Sequence, residues 1–313
     1  MEFSRQYLVA LATKTNFIRD TLEKVLRLSE ILKFLNSDVV FKGKLALKGG
    51  TAINLTAVEL PRLSVDIDLD FTENIPRDEL LLIKERFSKR LTDYMWQEGY
   101  SVADTRESFA LTSFLFNYVN SAGNRDNIKI EINFMDRCHI LPLENKKILA
   151  KGIVDDFEVL TLNTVELYAS KINALLSRAT PRDLYDVNAM IENGLIAKDA
   201  EEMLRKCLIF YNSIGGDYPL DALTYENVEK LDFRKFKTQL KPVIAKDDKF
   251  DIVKAKTKSI EYLKELIVLS KQEKEYLSEF QEKKYRPELL FDEENVINNI
   301  KLHPAAMWRC MDH

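Results

Sequence analysis

Residues 47–71 read LKGGTAINLTAVELPRLSVDIDLDF, and this stretch decides the fold class and the chemistry together. Gly49 and Gly50 stand where an apolar run gives way to a short helical segment, Thr51 to Leu60, which Pro61 ends. The run from Leu63 to Phe71 then alternates apolar and acidic residues, the pattern of a half-buried strand. Residues two apart on a strand share a face. Asp66, Asp68 and Asp70 are therefore expected to project together, while Val65, Ile67, Leu69 and Phe71 enter a core. Carboxylates held this close raise one another's pKa unless a cation neutralises them. Mg2+ binds through one or two carboxylates plus substrate phosphates. A glycine turn that opens a helix offers an anion its backbone N–H groups and the helix dipole. The pairing points to metal-dependent phosphoryl or nucleotidyl transfer, with a triphosphate on Gly49–Gly50. The alternative is the solvated face of an edge strand.

Working outward, apolar residues from Phe17 to Leu35 recur at helical spacing, and VVFKGKLALKGG reads as an extended run closing on the glycines. Asp78 to Gly99 reads as a charged helix stopped by its glycine. Two more strands are expected, Leu111–Val119 and Ile128–Phe134, around a turn at residues 121–124. In IKIEINF the isoleucines and Phe134 share one face, and Lys129, Glu131 and Asn133 the other. Glu131 is then a natural third carboxylate: a second-metal ligand, or the base for the acceptor's proton. A polar residue on an exposed sheet face fits equally well. Arg62 and Ser64, just before the aspartates, are candidate phosphate contacts.

Beyond Thr161 the chain reads as helical. Asn163 with Glu166 predicts a capping box on a helix to about Arg178, and Thr180-Pro181 starts another that stops near Gly194. Ile214 to Asp217 reads as a loop, Lys241 to Lys258 as a connector, and Tyr262 to Lys283 as one long helix. A second charged cluster lies here. Lys171 and Arg178, seven apart, share a helix face, and Asp183 and Asp186, three apart, are neighbours. A structural salt-bridge network accounts for them; so does a site in which Lys171, with Arg178 or Arg182, neutralises triphosphate charge. In that site Asp183 and Asp186 orient the cations or the nucleotide. Six lysines between 241 and 258, broken by Asp247, Asp248 and Asp251, read as a solvated linker or as a contact for RNA backbone. The aromatics nearby show no regular stacking spacing.

Composition narrows the class. The 313 residues are 46% hydrophobic and 31% charged, which suits a globular chain with a sizeable core and exposed helices. A net charge of −4 gives no global attraction to nucleic acid, so any such binding needs a local basic patch. The 3 cysteines lack metal-ligand spacing and none pairs with the 3 histidines, so no zinc site is expected. Neither a signal-peptide pattern nor a run of membrane-spanning length is visible, and a cytoplasmic location is expected.

The segments LALKGGTAINL, RLSVDIDLDF, KIEINF and VELYASKINALLSRATPRDLYDV together resemble the AbiEii/AbiGii toxin family of nucleotidyltransferases. YRPELLF and KLHPAAMW are similar to the family's ending. The resemblance implies an α+β protein with a DNA polymerase β-like core on a mixed sheet (residues 1–160) and a mainly helical region (161–313), the active site lying in the cleft between them. It implies that Gly49 and Gly50 cradle the triphosphate, with Lys48 and Thr51 beside them; Thr51 replaces the superfamily's usual serine. By the same resemblance Asp66 and Asp68 bind Mg2+ or Mn2+, Lys171 contacts nucleotide phosphate and Asp183 is essential. Asp70 lies outside the core DxD and is not placed in the metal shell. The implied activity is transfer of NMP from an NTP to an acceptor hydroxyl, with tRNA first among acceptors, by a toxin of a type IV toxin–antitoxin or abortive-infection system with a cognate antitoxin. A protein or small-molecule acceptor and a non-catalytic nucleotide-binding module are the alternatives.

Overall fold

The structure, a computed structural model, describes residues 3–150, 152–215 and 224–311. The chain divides into two compact units. One comprises Met1–Arg137, Leu143–Thr161 and Val243–Asp247, the other Cys138–Pro142, Leu162–Pro242 and Asp248–His313. Among the described residues, no helix is long and apolar enough to cross a membrane.

The first unit is built on a mixed sheet of β1 (Leu45–Lys48), β2 (Asp66–Phe71), β3 (Ser101–Glu107), β4 (Leu111–Val119), β5 (Arg125–Asn133), β6 (Glu144–Lys147) and β7 (Glu158–Thr161). Their order is β3-β4-β5-β2-β1-β7-β6. The aspartate strand β2 is interior, antiparallel to β1 and parallel to β5, which overturns the edge-strand alternative. Alternation sets its two faces. Ile67, Leu69 and Phe71 are buried with Ile130 and Ile132 of β5 and Phe114 and Phe116 of β4. Helix α4 (Arg77–Gln97) covers this apolar face, Phe87 lying 6.0 Å from Phe71 between ring centroids. Asp66 and Asp68 leave by the other face.

Three strands escaped the sequence. β3 is exposed at every position, so it carries no alternation, and β6 and β7 have four residues each. The leading helix is α2 (Arg19–Ser37), preceded by α1 (Arg5–Thr15), whose N-terminus Ser4 caps. The expected helix at Thr51 starts earlier, as α3 (Gly49–Ala52), and continues as a π turn over Ile53–Ala57. Asn54 Nδ2 and Thr56 Oγ1 donate to the carbonyls of Gly50 and Ala52, competing with the backbone for its acceptors.

In the second unit α5 (Thr164–Ser177) packs on α6 (Pro181–Glu192) and α7 (Glu201–Gly215). Short turns α8 (Glu226–Glu229) and α9 (Phe233–Lys235, continued by a π turn over Phe236–Leu240) lead to α10 (Ile252–Leu266) and α11 (Lys271–Gln281). The expected single helix from Tyr262 is therefore two. Ser270 and Glu273 form a capping box that starts a new helix, and Asp251 caps α10 inside the expected connector. The tail docks as α12 (Glu294–Ile300) and α13 (Pro304–Cys310), burying Phe291, Val296 and Ile300. In the expected loop at 214–217, Ile214 and Gly215 finish α7, while Gly216 and Asp217 lie outside the described residues.

Asn163 caps α5 as expected, but Glu166 does not complete a capping box. Its buried carboxylate instead accepts from Ile140 N and Leu141 N, both at 2.9 Å, and from Tyr211 OH at 2.6 Å. Burial outweighs these three neutral donors, and the Glu166 pKa is pushed up to about 7.

Candidate active site

The antiparallel pairing of β1 and β2 sets Lys48 opposite Asp68, and the chain turns after Lys48 at Gly49 with φ +68°. That turn closes on a carboxylate. A Cβ on Gly49 would fall 2.5 Å from Asp68 Oδ2, so both the dihedral and the contact demand glycine. A Cβ on Gly50 would fall 2.7 Å from the Arg62 guanidinium and 3.2 Å from Ser64 Oγ. Arg62 is buried, and its Nη1 donates to its neighbour's carbonyl, Leu63 O, at 3.0 Å; it braces the glycine turn from within. Thr51 is buried too. Its hydroxyl donates to the Asp66 carbonyl oxygen and lies 2.9 Å from Ser64 Oγ, tying the turn to the start of β2.

The three aspartates part company. Asp66 and Asp68 are half-buried, whereas Asp70 is buried and ion-paired with Lys48 Nζ at 2.5 Å. Asp136 adds a second carboxylate 3.4 Å from the same ammonium. Burial alone would lower the Lys48 pKa, but Asp70, Asp136 and Asp68 hold it well above the usual lysine value. The cation that relieves the repulsion at Asp70 is thus internal. Asp136 was invisible to periodicity because it follows β5 in a turn, where Asn133 Nδ2 donates to it at 2.8 Å.

Glu131 sits beside Asp68 in the β2–β5 register, and its carboxylate is ion-paired with Lys129 at 2.6 Å. A groove of about 390 Å³ opens there, lined by Ser113, Leu115, Lys129 and Glu131 among others. Among the described residues, no group of three or more His, Cys, Asp or Glu converges on a metal position. The half-buried carboxylates beside the Gly49–Gly50 turn are Asp66 and Asp68, two hard oxygen donors. That set suits Mg2+, which keeps several waters and completes its shell with phosphate.

In the helical unit the turn between α5 and α6 gathers the second cluster. Thr180 and Asp183 form a reciprocal capping box, and Ala179 before them has φ +44°. Lys171 Nζ lies 3.0 Å from Asp183 Oδ1 and 3.1 Å from Asp186 Oδ2, all three side chains being buried. Arg178 reaches Asp183 Oδ2 at 3.2 Å while its side chain stays 65% exposed. Burial alone would raise the Asp183 pKa, but Lys171, Arg178 and the Thr180 hydroxyl hold it well below the usual carboxylate range. Arg182 is half-buried, and among the described residues it makes no ion pair with Asp183 or Asp186.

Residues 31–260 match a family described as the nucleotidyl transferase AbiEii toxin of type IV toxin–antitoxin systems. No curated protein matches the chain. Among solved structures it is similar to MenT4, a nucleotidyltransferase toxin from Mycobacterium tuberculosis H37Rv. The TM-score is 0.67 at 16% identity, over 97% of this chain and 99% of that one. A likeness at that identity speaks for the fold, an α+β architecture on a mixed sheet. Because the family match spans most of its length, the chain belongs to the AbiEii nucleotidyltransferase toxins of type IV toxin–antitoxin systems.

Proposed function

We propose that the chain transfers NMP from an NTP to a hydroxyl of an RNA acceptor, with tRNA the first candidate, and that Asp66 and Asp68 hold Mg2+ or Mn2+ for this step. One observation supports the proposal: the Asp68 carboxylate packs against the Gly49 turn, which sets the carboxylate assigned to the metal beside the opening turn of a helix, where backbone N–H groups lack intrahelical partners. A bound divalent ion supplies charge neutralisation at the α-phosphate and orients it. The Gly49–Gly50 N–H groups bind the phosphates. Lys171 of the helical unit, ion-paired with Asp183 and Asp186, is assigned a contact with nucleotide phosphate, and the exposed Arg178 a second. Arg182, next to Asp183 on α6, is assigned supporting charge. Glu131 accepts the proton of the attacking hydroxyl as the new O–P bond forms and pyrophosphate leaves. The family implies an antitoxin as partner, and use of cellular RNA and NTPs would place the toxin in the cytoplasm.

The test incubates purified protein with each labelled NTP and either total RNA or cell protein, with and without EDTA. Label is expected in RNA, lost with EDTA, and absent for Asp66→Ala and Asp68→Ala. Full activity in both purified variants would refute the metal assignment. Label in protein alone would favour a protein acceptor, the second reading that the net charge of −4 keeps open.

A further inference from the structure

The lysine-rich segment of the helical unit shows an order its sequence concealed. Phe233 and Phe236 stack with centroids 5.6 Å apart and planes 15° from parallel. Phe236 and Phe250 continue the row at 6.2 Å and 14°, and Phe250 lies 5.0 Å from Tyr185 of α6. The row runs from solvent inward: Phe233 is 60% exposed, Phe236 and Phe250 are half-buried, and Tyr185 is buried. Asp248 fixes the inner end, accepting from Tyr185 OH and from Phe250 N, each at 2.8 Å. Tyr185 stands between Asp183 and Asp186, so the row ends on the helix that carries the charged cluster.

Cations flank the rings. Within the helical unit, residues 233–242 carry Arg234, Lys235, Lys237 and Lys241 with no acidic residue among them, and Lys249 stands next to Phe250, in a chain of net charge −4. Lys237 Nζ sits 4.9 Å from the Phe233 ring centroid. Arg234, Lys235 and Lys249 are exposed and make no ion pair among the described residues. A ring serving only to staple a surface turn would be covered, yet the outermost ring is the most open. Aromatic faces for bases beside unspent cations for the backbone are what a single strand of nucleic acid requires. An acidic protein would use the cations but gain little from a row of parallel rings.

We propose that Phe233, Phe236 and the cations around them form the docking platform for a single-stranded end of the RNA acceptor. This rests on RNA being the acceptor, and the test separates the two ideas. Binding of a fluorescent single-stranded RNA ending in CCA, and of tRNA, is measured by anisotropy across a salt series, alongside labelling of the same RNAs. Base stacking lost in Phe233→Ala is expected to weaken binding about 5-fold to 150-fold, while Phe233→Trp retains it. In Arg234→Ala/Lys235→Ala the slope of log affinity against log salt should fall by about 1.4, as two phosphate contacts on a single strand are lost. These side chains are exposed, so melting temperatures should stay at the wild-type value and a binding loss cannot come from misfolding. If wild type binds and labels RNA while the variants keep its affinity and salt slope, the platform is wrong and the RNA acceptor stands. If wild type neither binds nor labels RNA, both fall.

Discussion

Replacing Gly49 by alanine separates backbone strain from displacement of the carboxylate. The new Cβ would lie 2.5 Å from Asp68 Oδ2, where ordinary contact begins near 3.4 Å, so the carboxylate must retreat by roughly 0.9 Å. A misplacement of about 1 Å at a reacting centre costs on the order of 10²-fold in rate. Alanine at φ +68° adds a backbone cost of about 1–2 kcal/mol. Gly43 supplies the control: its φ is +77°, yet a Cβ there meets nothing within 4 Å. Gly43→Ala should therefore lose similar stability, a drop of about 2–8 °C in melting temperature, with full transfer activity. Gly49→Ala should lose that stability and about 100-fold in pyrophosphate release, assayed well below its melting temperature. Equal activity in the two variants would refute the claim that the Gly49 turn positions the Asp68 carboxylate.

Two further outcomes concern the helical unit. Lys171→Met leaves Asp183 and Asp186 buried without their ammonium and should destabilise the protein by about 3–5 kcal/mol in denaturant unfolding, whereas a change under 1 kcal/mol would mean the cluster is solvated. Glu166 has a folded pKa of about 7 against an unfolded value near 4.5, so its contribution is fully present below pH 4.5 and is lost as pH rises towards 7, on the order of 3 kcal/mol. Glu166→Gln should flatten that part of the stability profile; an unchanged profile in the variant would show that Glu166 ionises freely.

Local pattern reached a long way into this molecule. Strand β2 and its two faces follow from strict alternation, because a pleated strand leaves Asp66 and Asp68 no other direction once Ile67 and Leu69 are buried. The turn at Gly49 and the helix start at Thr180-Pro181 follow from residue types with few alternative conformations, whereas the Thr180–Asp183 capping box appears only in the structure. Pattern failed where partners are distant in sequence or the signal is short. The capping-box assignment of Glu166 was wrong because Ile140 N and Leu141 N, twenty-five residues or so upstream, compete for its carboxylate. Phe233, Phe236 and Phe250 have no common spacing, and only the folded α9 segment and the Asp248 anchor align their rings.

Sequence by itself determined the family, the α+β class and which side of β2 carries its carboxylates, since each depends on residue type and on neighbours two to four positions away. Tertiary structure alone decided that β2 is an interior strand and that Lys48 serves Asp70 and Asp136. It alone decided that Lys171 is shared by Asp183 and Asp186. Charge pairing across strands and helices depends on which elements become neighbours, and that is settled by burial of the whole core rather than by any segment's own periodicity.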